Sequence, residues 1–220
     1  MNILQINSSI FANRGQSTLL ADGFVAQLAG GQDADVTVRD LALEPLPHLD
    51  AERFAAFLAQ PAERSSVQQA AVDHSDRLIE ELRAADVIVI GVPMYNFGIP
   101  SQLKAWFDHV ARAGVTFRYT EKGPEGLLKG KKTYVFSTRG GQYEGTTRDS
   151  ETAHVRDLLA LLGLTDVTFV YAEGLAQGDA TRQAGLSNAQ ATIRQLAAAR
   201  RKDGHAGHWD RRAMPRPSHP

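Results

Sequence analysis

The chain has 220 residues, 43% of them hydrophobic and 22% charged, and no cysteine. That is enough for one domain with its own core, and the missing thiols exclude disulfide scaffolds, thiolate metal sites, iron–sulfur clusters and cysteine nucleophiles. A net charge of −1 argues against a dedicated nucleic-acid binder, and no apolar run reaches the roughly 18 residues of a membrane span.

The first residues, MNILQINSSI, carry no basic leader and read directly as a strand over Asn2–Asn7. A cytoplasmic protein without a signal peptide is expected. A helix follows over Ser17–Leu28, with Leu20, Phe24 and Leu28 on one face. Val36–Arg39 is a short β-branched stretch, and Leu41–Pro47 a Pro-containing loop. Helices are predicted over Ala51–Leu58 and Val67–Ala84. The run Val87-Ile88-Val89-Ile90-Gly91-Val92 suits a strand covered on both faces. Ser101–Ala113 is helical, with Leu103, Trp106, Phe107, Val110 and Ala111 at i, i+3, i+4, i+7 and i+8. A strand over Thr133–Ser137, a helix over Glu151–Leu162, a strand over Asp166–Tyr171 and a closing helix over Asn188–Arg201 complete the pattern.

Strands alternating with helices predict a parallel sheet with helices on both faces and right-handed crossovers. The expected architecture is α/β: a flavodoxin-like, doubly wound five-stranded parallel sheet in the order 2-1-3-4-5, one domain over residues 1–199. Residues 200–220 differ. They hold six basic and two acidic residues, with His205, His208, His219 and three prolines, which leaves the body mildly acidic. Without a hydrophobic period this segment is expected to be a disordered tail, although a metal- or anion-binding tail has the same composition.

Ligands of such sheets sit beyond the carboxyl ends of the strands, where three loops converge. The first, from Asn7 to Thr18, lacks both G-x-G-x-x-G and the P-loop pattern. Its hydroxyls lead into a helix N-terminus, which suits a single phosphomonoester; alternatively Ser17 is only the helix cap. The second loop, Pro93–Pro100, is rich in aromatics and proline, as for a flat ring lying against it. Tyr95 and Phe97 could instead pack under the following helix. In the third, Ser137–Tyr143, the amides of Gly140 and Gly141 could meet a carbonyl-rich ring edge, or form a plain turn. His109 reads as structural, His154 as solvated, and Lys104 with Asp108 as a surface ion pair.

The stretch VPMYNFGIPSQLKAWFDHVARAGVTFRYTEKGPEGLLKGKK, Val92–Lys132, closely resembles the FMN-dependent NADH-azoreductase family of homodimeric quinone and azo-dye reductases. The likeness extends to Ser9, Gln16-Ser17, Thr138-Arg139-Gly140-Gly141, Thr165-Asp166-Val167 and Ala172-Glu173-Gly174, and stops at the tail. It implies bound FMN with NADH as electron donor. Ser9, Gly15, Gln16 and Ser17 would hold the phosphate. Met94, Tyr95, Asn96 and Phe97 would lie along the isoalloxazine and ribityl chain. Thr138, Arg139, Gly140 and Gly141 would meet the pyrimidine end. The implied reaction is two-electron, ping-pong hydride transfer through flavin N5 to quinones or azo compounds, with no metal and no obligatory acid–base side chain. The implied homodimer completes the pocket with its second chain, for which the YNFGIP helix and Phe117-Arg118-Tyr119 are candidate walls. Family members often carry serine at the positions of Gly15 and Thr138, and some an aromatic in the helix over Glu151–Leu162, which has none here. The competing function is a flavodoxin-type FMN electron carrier; a body that is only mildly acidic, and Tyr119 with apolar neighbours as for a covered pocket, speak against it. A flavin-free switch domain would need acidic residues where this chain has Asn7-Ser8-Ser9. No nucleic-acid or membrane partner is expected.

Overall fold

The structure is a computed structural model that describes residues 1–30 and 33–206. In chain order the elements are β1 (Asn2–Asn7), α1 (Gln16–Ala29), β2 (Asp35–Asp40), α2 (Ala51–Leu58), α3 (Ser66–Ala84), β3 (Val87–Pro93) and α4 (Ser101–Val110). There follow β4 (Phe117–Thr120), β5 (Gly123–Gly126), β6 (Lys132–Thr138), α5 (Ser150–Leu162), β7 (Asp166–Ala172) and α6 (Asp179–Ala206). The main sheet runs β2-β1-β3-β6-β7, every neighbour parallel. Counted over its own five strands this is the expected order 2-1-3-4-5.

Side-chain alternation along β3 divides the core into two layers. Ile88, Ile90 and Val92 face Leu78 and Leu82 of α3, Trp106 and Phe107 of α4, and Leu159 of α5. Val87 and Val89 face the other way, toward Phe24 of α1 and Ile193 of α6. Phe24 is fully buried against Tyr134 and Phe136, with ring centroids 4.5 and 5.3 Å away. Local chemistry sets the helix ends. Ser65 and Gln68 form a capping box on α3, Asp50 and Asp149 cap α2 and α5, and Gly163 ends α5 in the left-handed region.

Two elements differ from the expectation. The closing helix α6 starts at Asp179, well before Asn188, because its first turns are polar and carry no apolar period. It needs Gly185 there, since a Cβ at that position would lie 2.2 Å from the carbonyl oxygen of Glu173. The helix also continues to Ala206, beyond the expected end at Arg201. The remainder of the expected tail, 207–220, lies outside the described residues. The second difference is an antiparallel hairpin, β4–β5, apart from the main sheet. Pro124 within a four-residue strand hid it, because such a proline is tolerated only at an edge.

The hairpin is seated by backbone contact. A Cβ at Gly126 would lie 2.0 Å from the nitrogen and 2.3 Å from the Cα of Gly163 at the end of α5. Neither backbone can yield easily. Gly126→Ala is expected to destabilise the protein by about 3 kcal/mol, the upper range for an overpacked site. A denaturation midpoint equal to wild type would show that the hairpin is not clamped there. Among the described residues no helix is long and apolar enough to cross a membrane.

Candidate functional site

Strand register brings the three loops to one edge of the sheet. Asn7 pairs opposite Gly91, Pro93 opposite Thr138, and Thr138 opposite Ala172. The loops are then tied to one another. Ser8 Oγ donates to the Gly91 carbonyl at 2.6 Å, and the Met94 N–H donates to the Thr138 carbonyl at 2.9 Å. Ser9 Oγ lies 3.3 Å from the Tyr95 hydroxyl.

In the first loop a short 3-10 turn, Ala12–Arg14, delivers the chain into α1. The N-cap is Gly15, which contributes no side-chain bond, so Ser17 is not the cap. Ser17 lies inside the helix and is buried, and the Ser17 and Thr18 hydroxyls have no hydrogen-bond partner among the described residues. Leaving a buried hydroxyl unpaired costs about 1–3 kcal/mol, so such groups mark a place for a ligand. The first-turn amides of an uncapped helix add donors and a favourable dipole for an anion. Gly91, the interruption in the β-branched run of β3, gives α1 room, since its Cβ would come 3.2 Å from the Ser17 backbone. A Cβ at Gly15 would lie 2.2 Å from Ser9 Oγ. A serine at position 15 would therefore require Ser9 to move.

The second loop is a tight turn. The Tyr95 and Gly98 amides donate to each other's carbonyls at 2.9 and 3.0 Å, and the two central residues are left-handed, Asn96 at φ 50° and Phe97 at φ 64°. Asparagine tolerates that region, whereas phenylalanine pays roughly 1–2 kcal/mol for it. The strain turns Phe97 outward, 47% exposed, so it does not pack under α4. Its ring meets the edge of Tyr143 at 5.4 Å and lies under Arg148 at 5.5 Å.

In the third loop one residue is engaged within the protein. Arg139 is buried, and its guanidinium pairs with Asp149, Glu151 and Glu173 at 2.9, 3.4 and 3.2 Å. It also donates to Ser137 Oγ at 2.9 Å and Thr152 Oγ1 at 2.8 Å, and stacks 4.8 Å above Tyr171. Its side chain is consumed inside the protein, and its backbone is paired as well, the N–H donating to the Ala172 carbonyl at 2.9 Å and the carbonyl accepting from the Leu175 amide at 3.1 Å. Burial disfavours that charge, but the Asp149 hydrogen bond and the other carboxylates more than compensate. Glu151 goes the opposite way. Burial pushes its carboxyl up to about 7, against the Ser137 hydrogen bond and the pull of Arg139. Gly140 and Gly141 donate their amides to no acceptor among the described residues.

This carboxylate set was not anticipated; the only sequence signal was an arginine at the end of a buried strand. His109 is structural as expected, buried with Nε2 2.9 Å from the Pro47 carbonyl. His154 is exposed, and Lys104 pairs with Asp108 at 2.6 Å.

Known proteins match this chain along almost its whole described length. A family model described as a flavodoxin-like fold matches residues 1–197. A protein of Burkholderia pseudomallei named FMN-dependent NADH:quinone oxidoreductase is 56% identical over 192 residues, 87% of this chain and 97% of its own length. One of the same name from Alcanivorax borkumensis is 50% identical over 194 residues, 88% and 98% of the two chains. The chain belongs to the FMN-dependent NADH:quinone oxidoreductase family. The crystal structure of an azoreductase from Bacillus anthracis superposes on it with a TM-score of 0.81 at 25% identity, covering 90% of this chain and 98% of that one. Quinone oxidoreductases and azoreductases thus share this fold, and the family's names do not favour a one-electron flavodoxin-type carrier.

Proposed function

We propose that this protein is an FMN-dependent NADH:quinone oxidoreductase that also accepts azo compounds, with FMN held where the three loops converge. The observation that carries this is the uncapped N-terminus of α1, where two buried hydroxyls lack partners beside a strained aromatic turn. Ser9, Gly15, Gln16 and Ser17 would hold the phosphate, a single monoester in the absence of pyrophosphate glycines. Met94, Tyr95, Asn96 and Phe97 would flank the ring and ribityl chain. The segment Thr138-Arg139-Gly140-Gly141 would meet the pyrimidine end, with the Gly140 and Gly141 amides as its donors.

When bound, FMN supplies the centre that takes a hydride from NADH and passes it to the acceptor. The protein's part is positional and electrostatic. The Gly140 and Gly141 amides would donate to the ring edge and would favour negative charge there. The turn at Asn96–Phe97 holds an aromatic wall without an acid or base. A homodimer is the form this reading favours, because Ile10, Phe11, Phe97 and Tyr119 are exposed apolar or aromatic surface that a second chain would cover. A cytoplasmic location fits this reading, since that compartment supplies NADH. Heat-released ligand identified as FMN, with quinone-dependent NADH oxidation by a dimer, is the expected outcome. FAD, no turnover, or an active monomer by light scattering would each overturn the corresponding part.

Ser17→Ala tests the phosphate site. Ser17 Oγ has no protein partner among the described residues, so the FMN-free variant should be at least as stable as wild type. FMN binding should weaken about tenfold, the scale of one hydrogen bond to a charged group. Turnover at saturating FMN should be unchanged. Unaltered FMN affinity by fluorescence titration would move the phosphate away from this helix end.

A further inference from the structure

We propose that Glu173 is a positioning residue for the flavin's pyrimidine edge: it never touches the ring but sets the direction of the Gly140 and Gly141 amides. This rests on the FMN reading above.

Three donors converge on Glu173 Oε1. They are Arg139 Nη1 at 3.2 Å and the backbone amides of Tyr143 and Glu144 at 2.8 and 2.9 Å. One carboxylate oxygen therefore grips both ends of the third loop. The backbone that follows Glu173 grips its middle. The amides of Gly174, Leu175 and Ala176 donate to the carbonyls of Gly141, Arg139 and Gly140 at 2.9, 3.1 and 3.0 Å. A trans peptide points its C=O and N–H in opposite directions. Holding the carbonyls of Arg139 and Gly140 on the Glu173 side therefore sends the amides of Gly140 and Gly141 to the other side, where they find no protein acceptor among the described residues.

Glu173 is itself fixed. Its carbonyl approaches α6 so closely that only glycine fits at position 185, where a Cβ would lie 2.2 Å away. Gly174 next to it sits at φ 70°, which turns the chain back over the loop. Arg139 in turn is locked by Asp149 from the start of α5, Glu151 within it, and Ser137 on β6. Glu173 thus joins a rigid buried cluster to a loop in which the amides of Gly140, Gly141 and Gln142 find no protein acceptor among the described residues. A ring edge with two carbonyl oxygens and a nitrogen that gains charge on reduction fits such donors.

The experiment compares Glu173→Ala, Glu173→Gln and Glu173→Asp with wild type, by FMN titration and by amide hydrogen exchange of the FMN-free proteins. Glu173→Ala should weaken FMN binding about tenfold and speed exchange at Tyr143 and Glu144 by a similar factor. Glu173→Gln, which keeps an acceptor oxygen in place, should recover most of both. Glu173→Asp, one methylene short, should lose several-fold in affinity, and it carries the test if the alanine variant does not fold. Wild-type affinity in Glu173→Ala or Glu173→Asp would overturn the proposal, as would a glutamine variant as weak as alanine. A wild-type protein that binds no FMN would instead overturn the functional reading itself.

Discussion

Arg139→Met is expected to cost about 3–5 kcal/mol of stability, the range for removing one partner of a buried ion pair. Methionine fills much of the volume, so the loss is electrostatic rather than a cavity. It would leave Asp149, Glu151 and Glu173 facing one another with side-chain exposures of 9%, 1% and 16%. None has a second cation within salt-bridge distance among the described residues. Domains are typically stable by only 5–15 kcal/mol, so the variant should lie near its threshold. Urea denaturation of the FMN-free protein is the measurement, since bound ligand would mask the change. A shift below about 1 kcal/mol would mean that the guanidinium is not the keystone of this cluster. Such a result would also return its side chain to the list of groups free to meet a cofactor.

Glu151→Gln is expected to change how stability depends on pH. The folded-state carboxyl is raised to about 7 from 4.5, with burial as the main cause. A raised pKa means that the folded state binds the extra proton. Its stabilising contribution is therefore complete below pH 4.5 and is lost as pH rises through 7, by about 3 kcal/mol in all. The glutamine variant has no such proton. Its stability relative to wild type should rise by about 2–3 kcal/mol between pH 5 and pH 8. The comparison matters because other groups titrate nearby. His74 is desolvated and lowered from 6.5, so wild-type stability gains from it as pH rises through that region. Asp149 is lowered despite its burial, and its contribution disappears only in acid. Both are common to the two proteins and cancel in the difference. A difference that stays flat across that range would show that Glu151 is ionised throughout, held so by Arg139.

Much of this was legible in the sequence because it is encoded locally. The continuous run Val87–Val92 could only be a doubly covered strand, and Leu103, Trp106, Phe107 and Val110 could only be one face of a helix. Strand–helix alternation then restricted the topology to a few choices, and the expected sheet order is the one observed. The loops that carry polar hydroxyls, YNF and the glycine pair lie at strand ends, and the register places them side by side. The hairpin Phe117–Gly126 and the first turns of α6 escaped because short polar segments, one with an internal proline and the other with glycine, carry no period to read.

The sequence by itself determined the five strands of the main sheet, their order and which loops share an edge, since hydrophobic period and turn chemistry act over a few residues. Only the tertiary structure decided what individual side chains do there. Whether Ser17 caps the helix or lies within it depends on where the 3-10 turn ends. Phe97 points outward because two consecutive residues take the left-handed region, a geometry no composition specifies. Arg139 reads as a ligand contact in its motif, yet turns inward because Asp149, Glu151 and Glu173 await it. Those carboxylates are 10, 12 and 34 residues away along the chain. Glu173, the most distant, reaches the arginine through the pairing of Thr138 with Ala172 across two neighbouring strands. An ion pair gains its energy from distance and desolvation in space, and neither is written in local sequence.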